Sequence, residues 1–386
     1  MLKSFCKLSS VKTRNQSNRR LLAATVPIVL IVAIGTVAGA SGNTPIGVAG
    51  TAPVYKTVGP NGQHPVSATT VKLTSTEISA LQAGHYTAAM LWPESATFTS
   101  AVAAGASAEF AHLGISVVST SEANFNATTQ VNQIQTVEAQ KPSVAISLPV
   151  DQTTEASAYR ALGAQGTKLV FLSDVPTGFK YPTDYAGMVT DDLANMGRQA
   201  AILLGKAMHG RGNAAMIYYD ASYFVTNERD AAFRTWLRKL YPKINLVAQE
   251  GFADPSKVQS VATAMMERNP KIQGIYVSWS SGPADEVIAG LRSIGASPKI
   301  RVVTDDLDSS IDAGLVTGNY LAGIVADQPY QLGVSLAKEA GLAILGDHVP
   351  IFAIVKAIAV EKSNLLKAWK ATLDQSPPAA IVRAFH

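Results

Sequence analysis

From residue 87 onward, short apolar runs alternate with longer stretches whose apolar residues recur every three or four positions. The runs lie at 87–92, 115–120, 143–148, 168–173, 187–190, 214–220, 246–250, 274–279, 301–305 and 321–326. They are almost continuously apolar, the pattern of parallel strands covered on both faces. Helical periodicity fills 98–113, 127–140, 193–209, 228–240, 255–268, 283–294 and 329–345. A repeated strand–helix order predicts a doubly wound α/β fold. So many strands exceed one comfortable sheet, so two parallel-sheet lobes are expected.

Upstream this pattern stops. Residues 41–70 are rich in Gly, Pro, Thr and Ser and read as an extended arm. Thr74-Ser75-Thr76-Glu77 then predicts a capping box opening a short helix, which completes an arm over 41–84. Leu21 to Ala40 form an uncharged run behind a basic stretch, ending in Ala38-Gly39-Ala40. That is the layout of a signal peptide over 1–40; left uncleaved, the same run would anchor the chain in a membrane. Arg19-Arg20 leaves Sec and twin-arginine export both open. Every version places the body outside the cytoplasm, in the periplasm.

Composition narrows the function classes. The 386 residues are 47% hydrophobic and 16% charged, enough for two cores and unlike a disordered chain. Cys6 is the one cysteine, so neither an intrachain disulfide nor a cysteine metal cluster can form. The net charge of +4 comes from the leader, whose charged residues (Lys3, Lys7, Lys12, Arg14, Arg19, Arg20) are all basic. The rest carries 26 of the 32 basic residues against 28 acidic ones, which excludes nucleic acid as an expected partner. Six scattered histidines show no ligand spacing, so no metal or cofactor is expected. Asp305-Asp306-Leu307-Asp308 could suggest a metal site but has no histidine nearby, and the residues after Trp279 form no nucleophile elbow; an enzyme is not expected.

Ligands of open α/β sheets bind outside the carboxyl ends of the strands. The residues there are Trp92-Pro93-Glu94 and Phe98, Ser173-Asp174, Asp191-Asp192, Tyr223 and Arg229, Phe252, Trp279, Asp305-Asp306 and Asp327-Gln328. Aromatic faces stack on the C–H faces of sugars, while carboxylates and arginine take hydroxyls, so this set suits a polyhydroxylated ligand.

Over about residues 87–356 the chain resembles the type 1 periplasmic solute-binding proteins of ABC transporters, the ribose-binding class. FTSAVAAGASAEFAHLGISVV resembles the opening β-α-β unit and puts Phe98 on the family's sugar-contacting aromatic, with Trp92 just before it. NERDAAF puts Arg229 on the ligand-binding arginine, EGFADPSK puts Phe252 on the second-lobe aromatic, and VVTDDLD puts Asp306 on the ligand-binding aspartate. TKLVFLSDV departs from the family, with Ser173 at its Asp position and Asp174 at its Arg position. Trp279 stands where the family has Asn, and Asp327 where ribose binders carry Gln.

The resemblance implies a first lobe of 85–190 plus 328–355, a second of 191–327 plus 356–375, and a tail of 376–386. It implies a monomer that closes on a monosaccharide or sugar alcohol other than ribose, using Trp92, Phe98, Ser173, Asp174, Arg229, Phe252, Trp279, Asp306 and Asp327. Its protein partner would be an ABC permease. A membrane-tethered sensor with the same fold is the alternative. A repressor would need a helix-turn-helix where this chain has a signal-like segment and the arm.

Overall fold

The computed structural model describes residues 56–386; the expected export signal over 1–40 and the start of the arm lie outside the described residues. Thr74 caps the first helix as its sequence predicts: its hydroxyl accepts from the Glu77 N–H at 3.3 Å, and the Glu77 carboxylate accepts from the Thr74 N–H. In chain order the first elements are strand Val66–Ser67 (β1), helix Ser75–Ala83 (α1), Thr87–Trp92 (β2), Thr97–His112 (α2), Ser116–Glu122 (β3) and Ala127–Gln140 (α3). Val144–Ser147 (β4), Ala156–Ala164 (α4), Lys168–Leu172 (β5) and Gly187–Asp191 (β6) follow.

The chain then builds a second set: Leu193–Ala207 (α5), Arg211–Tyr219 (β7), Phe224–Leu240 (α6), Lys243–Phe252 (β8), Val258–Arg268 (α7) and Ile272–Val277 (β9). It continues through Asp285–Ser293 (α8), Arg301–Asp305 (β10), Ala313–Thr317 (α9) and Leu321–Ala326 (β11). Pro329–Leu345 (α10) and Ala353–Val355 (β12) return to the first set, and Ile358–Val360 (β13), Leu365–Leu373 (α11) and Ala379–Ala384 (α12) complete the second.

The strands form a 7-stranded sheet ordered β1-β12-β6-β5-β4-β2-β3 and a 6-stranded sheet ordered β13-β11-β10-β9-β7-β8. All pairs are parallel except β11–β13. Helices cover both faces of each sheet, which is why β2, β4 and β6 are buried along almost their whole length. On the first sheet, Phe110, Leu332 and Leu336 pack on one face and Ile134, Tyr159 and Phe171 on the other. On the second, Leu204, Phe233 and Tyr276 form one core and Val258, Ile275 and Trp369 the other. Each fully buried Leu or Phe contributes about 1.5–3 kcal/mol.

Differences from the sequence reading are local. The strands β1, β12 and β13 are too short for periodicity to reveal. Residues 376–386, expected as a tail, carry α12, whose Ile381 is buried in the second core. Helix α6 starts at Phe224, four residues ahead of the expected start, and so holds Arg229 in its second turn. Pro283 and the left-handed Gly282 (φ +89°) kink the stretch expected as the start of α8. No described helix is long and apolar enough to cross a membrane.

Two features position the cleft. Gly197 on α5 lets α6 approach so closely that a Cβ would lie 2.2 Å from the Arg229 carbonyl oxygen. The segments that carry the chain between sheets, after β6, β11 and β12, are bonded to one another. The Asp192 N–H donates to the Val355 carbonyl at 2.9 Å, and the Gln328 side-chain amide donates to the Lys356 carbonyl at 2.5 Å.

Candidate functional site

The carboxyl ends of both sheets border one small cavity of about 70 Å³. A larger groove of about 790 Å³ lies at the amino ends of the first-sheet strands, lined by Lys168, Tyr181 and Tyr185, away from where open α/β sheets hold ligands. From the first sheet's side Glu94, Thr97, Phe98, Phe125, Ser173 and Asp191 line the small cavity. Tyr219, Tyr223, Arg229, Trp279, Asp306, Asp308 and Asp327 line it from the second.

An aromatic cluster forms one wall. The Trp279 ring lies 5.4 Å from Tyr219, nearly perpendicular, and 5.2 Å from Phe252 beneath it. Phe125 crosses from the first lobe to within 6.3 Å of Trp279 and 6.5 Å of Tyr219. The Trp279 indole N–H donates to the Ser281 carbonyl at 3.0 Å, so the ring offers the cavity its apolar surface and no donor.

Carboxyl groups form the other walls. Asp306 holds φ +68° and Ser173 φ +59°, a backbone region that L-residues avoid. The Asp306 N–H donates to Val325 at 2.9 Å and its carbonyl accepts from the Ser280 hydroxyl at 2.7 Å, which fixes that conformation. Arg229 lies behind Asp306. Its Nη1 donates to Asp306 Oδ1 at 3.4 Å, its Nε lies 3.3 Å from Asp305 Oδ2, and its Nη2 donates to the Ser278 carbonyl at 2.5 Å. Tyr276 and Ser278 hydroxyls bind Asp230 and Asp305 in the same network. Burial pulls the Arg229 pKa down, but Asp306 and Asp305 outweigh it, so the guanidinium stays charged.

Burial, then the Asp306 and Asp308 charges, push Glu94 up to about 7. Burial, then Asp306, push Asp191 up to about 8 against the pull of Arg229. Asp327 is driven well above the carboxylate range by burial, then by Asp306 and Asp191. Asp305 is pushed up to about 8 by burial, which outweighs the attraction of Arg229.

Of the residues expected from sequence, Phe98, Ser173, Arg229, Trp279, Asp306 and Asp327 converge on the cavity. Trp92, Asp174 and Phe252 do not line it. Trp92 ends β2 with its ring in the first core, because the pleat turns it inward. Asp174 is buried, and its Oδ1 accepts from the Phe224 N–H at 3.1 Å, tying the lobes together. Phe252 supports Tyr219 and Trp279 from below. Phe125 was not anticipated. It follows β3, another strand end, in a left-handed turn with Asn124, and applying the strand-end rule there would have found it.

Residues 90–347 match the periplasmic binding protein domain family. The chain is similar to the D-allose-binding periplasmic protein of Escherichia coli (strain K12), with 29% identity over 186 residues. That match is 45% of this chain and spans only 53% of the relative's length. Among solved structures, a carbohydrate transporter solute binding protein from Agrobacterium radiobacter in complex with D-arabinose superposes with a TM-score of 0.67 at 21% identity, covering 75% of this chain and 99% of that one. An ABC transporter periplasmic solute binding protein from Actinobacillus succinogenes with bound D-allose gives 0.64 at 19% identity, covering 73% and 99%. At these identities the superpositions speak for the fold.

Proposed function

Because the chain belongs to the periplasmic binding protein domain family, we propose that it is the extracytoplasmic substrate-binding component of an ABC importer, taking a small polyhydroxylated ligand between its lobes. The carrying observation is the cavity itself, bordered by the carboxyl ends of two parallel sheets and shut by Phe125 against Tyr219 and Trp279. A monosaccharide or sugar alcohol fits that wall, with its C–H faces on Phe98 and Trp279. Asp306 and Asp327 take hydroxyls, Arg229 holds Asp306 in place, and Ser173 adds a polar edge. The bonded crossing segments act as a hinge, and a ligand bridging both lobes stabilises the closed form. That closed monomer docks on a permease from the periplasm.

The test is a melting-temperature screen of the purified protein against monosaccharides and sugar alcohols. A micromolar ligand at millimolar concentration adds about 4 kcal/mol. No stabilisation by any sugar or polyol would sink the proposal.

A further inference from the structure

The hydrogen-bonding inventory of the cavity is one-sided. Its lining has the carboxyls of Glu94, Asp191, Asp306, Asp308 and Asp327, one cation, Arg229, and no Lys, His, Asn or Gln. Most donors that face it are already committed. Arg229 serves Asp306 and Ser278, and Trp279 serves Ser281. The Thr97 hydroxyl donates to Asp308 at 2.7 Å, and the Ser280 hydroxyl to the Asp306 carbonyl at 2.7 Å. The acceptors are less satisfied: Asp191, 2% exposed, has a buried Oδ1 with no hydrogen-bond partner.

A neutral sugar hydroxyl donates one hydrogen bond but brings no charge to offset an ionised carboxyl. An ammonium carries three donors, no acceptor and a positive charge. Aromatic faces like those of Trp279, Tyr219 and Phe125 attract cations through the ring quadrupole. Among the described residues no group of His, Cys, Asp or Glu is arranged to hold a metal ion, which leaves an organic cation. Building on the sugar-binding reading above, we propose that the ligand is an amino sugar, its protonated amine held by Asp191 and Asp327 and its ring by the aromatic wall. These carboxyls, pushed up by burial and by one another, release protons as the ammonium arrives to offset their charge.

The test is calorimetric titration of the full-length protein at pH 7 with matched sets: glucosamine, galactosamine and mannosamine, their hydroxyl parents, and their N-acetyl derivatives. Choline serves as a cation without a sugar frame. At least one amino sugar should bind tenfold or more tighter than both its parent and its N-acetyl form. That preference should fall at least fivefold in D191N and, should that variant fail to fold, in E94Q at the cavity edge. A parent sugar binding as tightly as its amine overturns the amine assignment and leaves the sugar-binding reading standing. Binding of choline with no sugar bound overturns the sugar frame. Silence across every set overturns both.

Discussion

Arg229 is the side chain on which the second-lobe half of the site rests, and replacing it by methionine isolates what its charge does. Methionine keeps most of the buried stem and deletes the guanidinium that lies 3.3 Å from Asp305 and 3.4 Å from Asp306. Removing one member of a buried charge pair costs about 3–5 kcal/mol, because the partner's charge is left unpaired. Loss of that order is therefore expected in Arg229→Met where Asp305 is ionised, and it should depend on pH. Asp305 already sits at about 8 in the folded chain, against about 4 for a free carboxyl. A carboxyl raised on folding holds its proton in the folded form only. Its stabilising contribution is full below the unfolded pKa and is lost as pH rises through the folded one. Arg229 is the group that pulls Asp305 down, so deleting it raises that pKa further and steepens the loss. The two proteins part only above the wild-type value, so the deficit of Arg229→Met should be larger at pH 9.5 than at pH 6. Urea unfolding followed by tryptophan fluorescence at both pH values measures it. A deficit under about 1 kcal/mol, typical of a surface pair, or one equal at both pH values, would refute this account of the network.

Further outcomes are expected elsewhere. Trp279→Phe keeps an aromatic wall but should remove most of the ligand-induced change in tryptophan fluorescence; an unchanged signal in a titration would place the response at Trp92, Trp236 or Trp369. Gly197→Ala drives a methyl to within 2.2 Å of the Arg229 carbonyl, so a loss of about 1–3 kcal/mol from overpacking is expected in thermal melts. Glucosamine affinity should rise from pH 5.5 to 7, because Glu94 and Asp191, at about 7 and 8, must release protons to face an ammonium. The neutral parent should show no such rise by calorimetry. Treatment with a chelator should leave the melting temperature unchanged, since Arg229 pairs with Asp306 and no described group of acidic or histidine side chains is arranged to hold a metal.

The helices and long strands are legible in the sequence where burial imposes a period. Strands β2, β10 and β11 and helices α3 and α10 run over the residues their apolar patterns mark. The pairing of β12 with β6 and of β13 with β11 is not legible, because the stretch 351–360, apolar but for Lys356, feeds two different sheets through strands of three residues each. In the site, the strand-end rule finds Trp279, Asp306 and Asp327. It also draws in Trp92 and Phe252, because one residue of pleat decides whether an end residue faces the cleft or the core. Asp191 stood at a strand end too, but its role as a buried, half-unpartnered carboxyl depends on neighbours from the other lobe that no local pattern reports.

Asp191 ends β6 and Asp327 follows β11, so both lie on the backbone by which the chain passes from sheet to sheet. If the lobes turn on these segments, joint and grip are the same residues there. A backbone rotation at 191–192 or 327–328 re-aims a carboxyl, so loosening those joints also alters ligand affinity. The remaining passage, from β12 to β13, contributes no side chain to the cavity lining. It is the place to change the opening equilibrium alone, as a ligand-responsive reporter built on this protein would require.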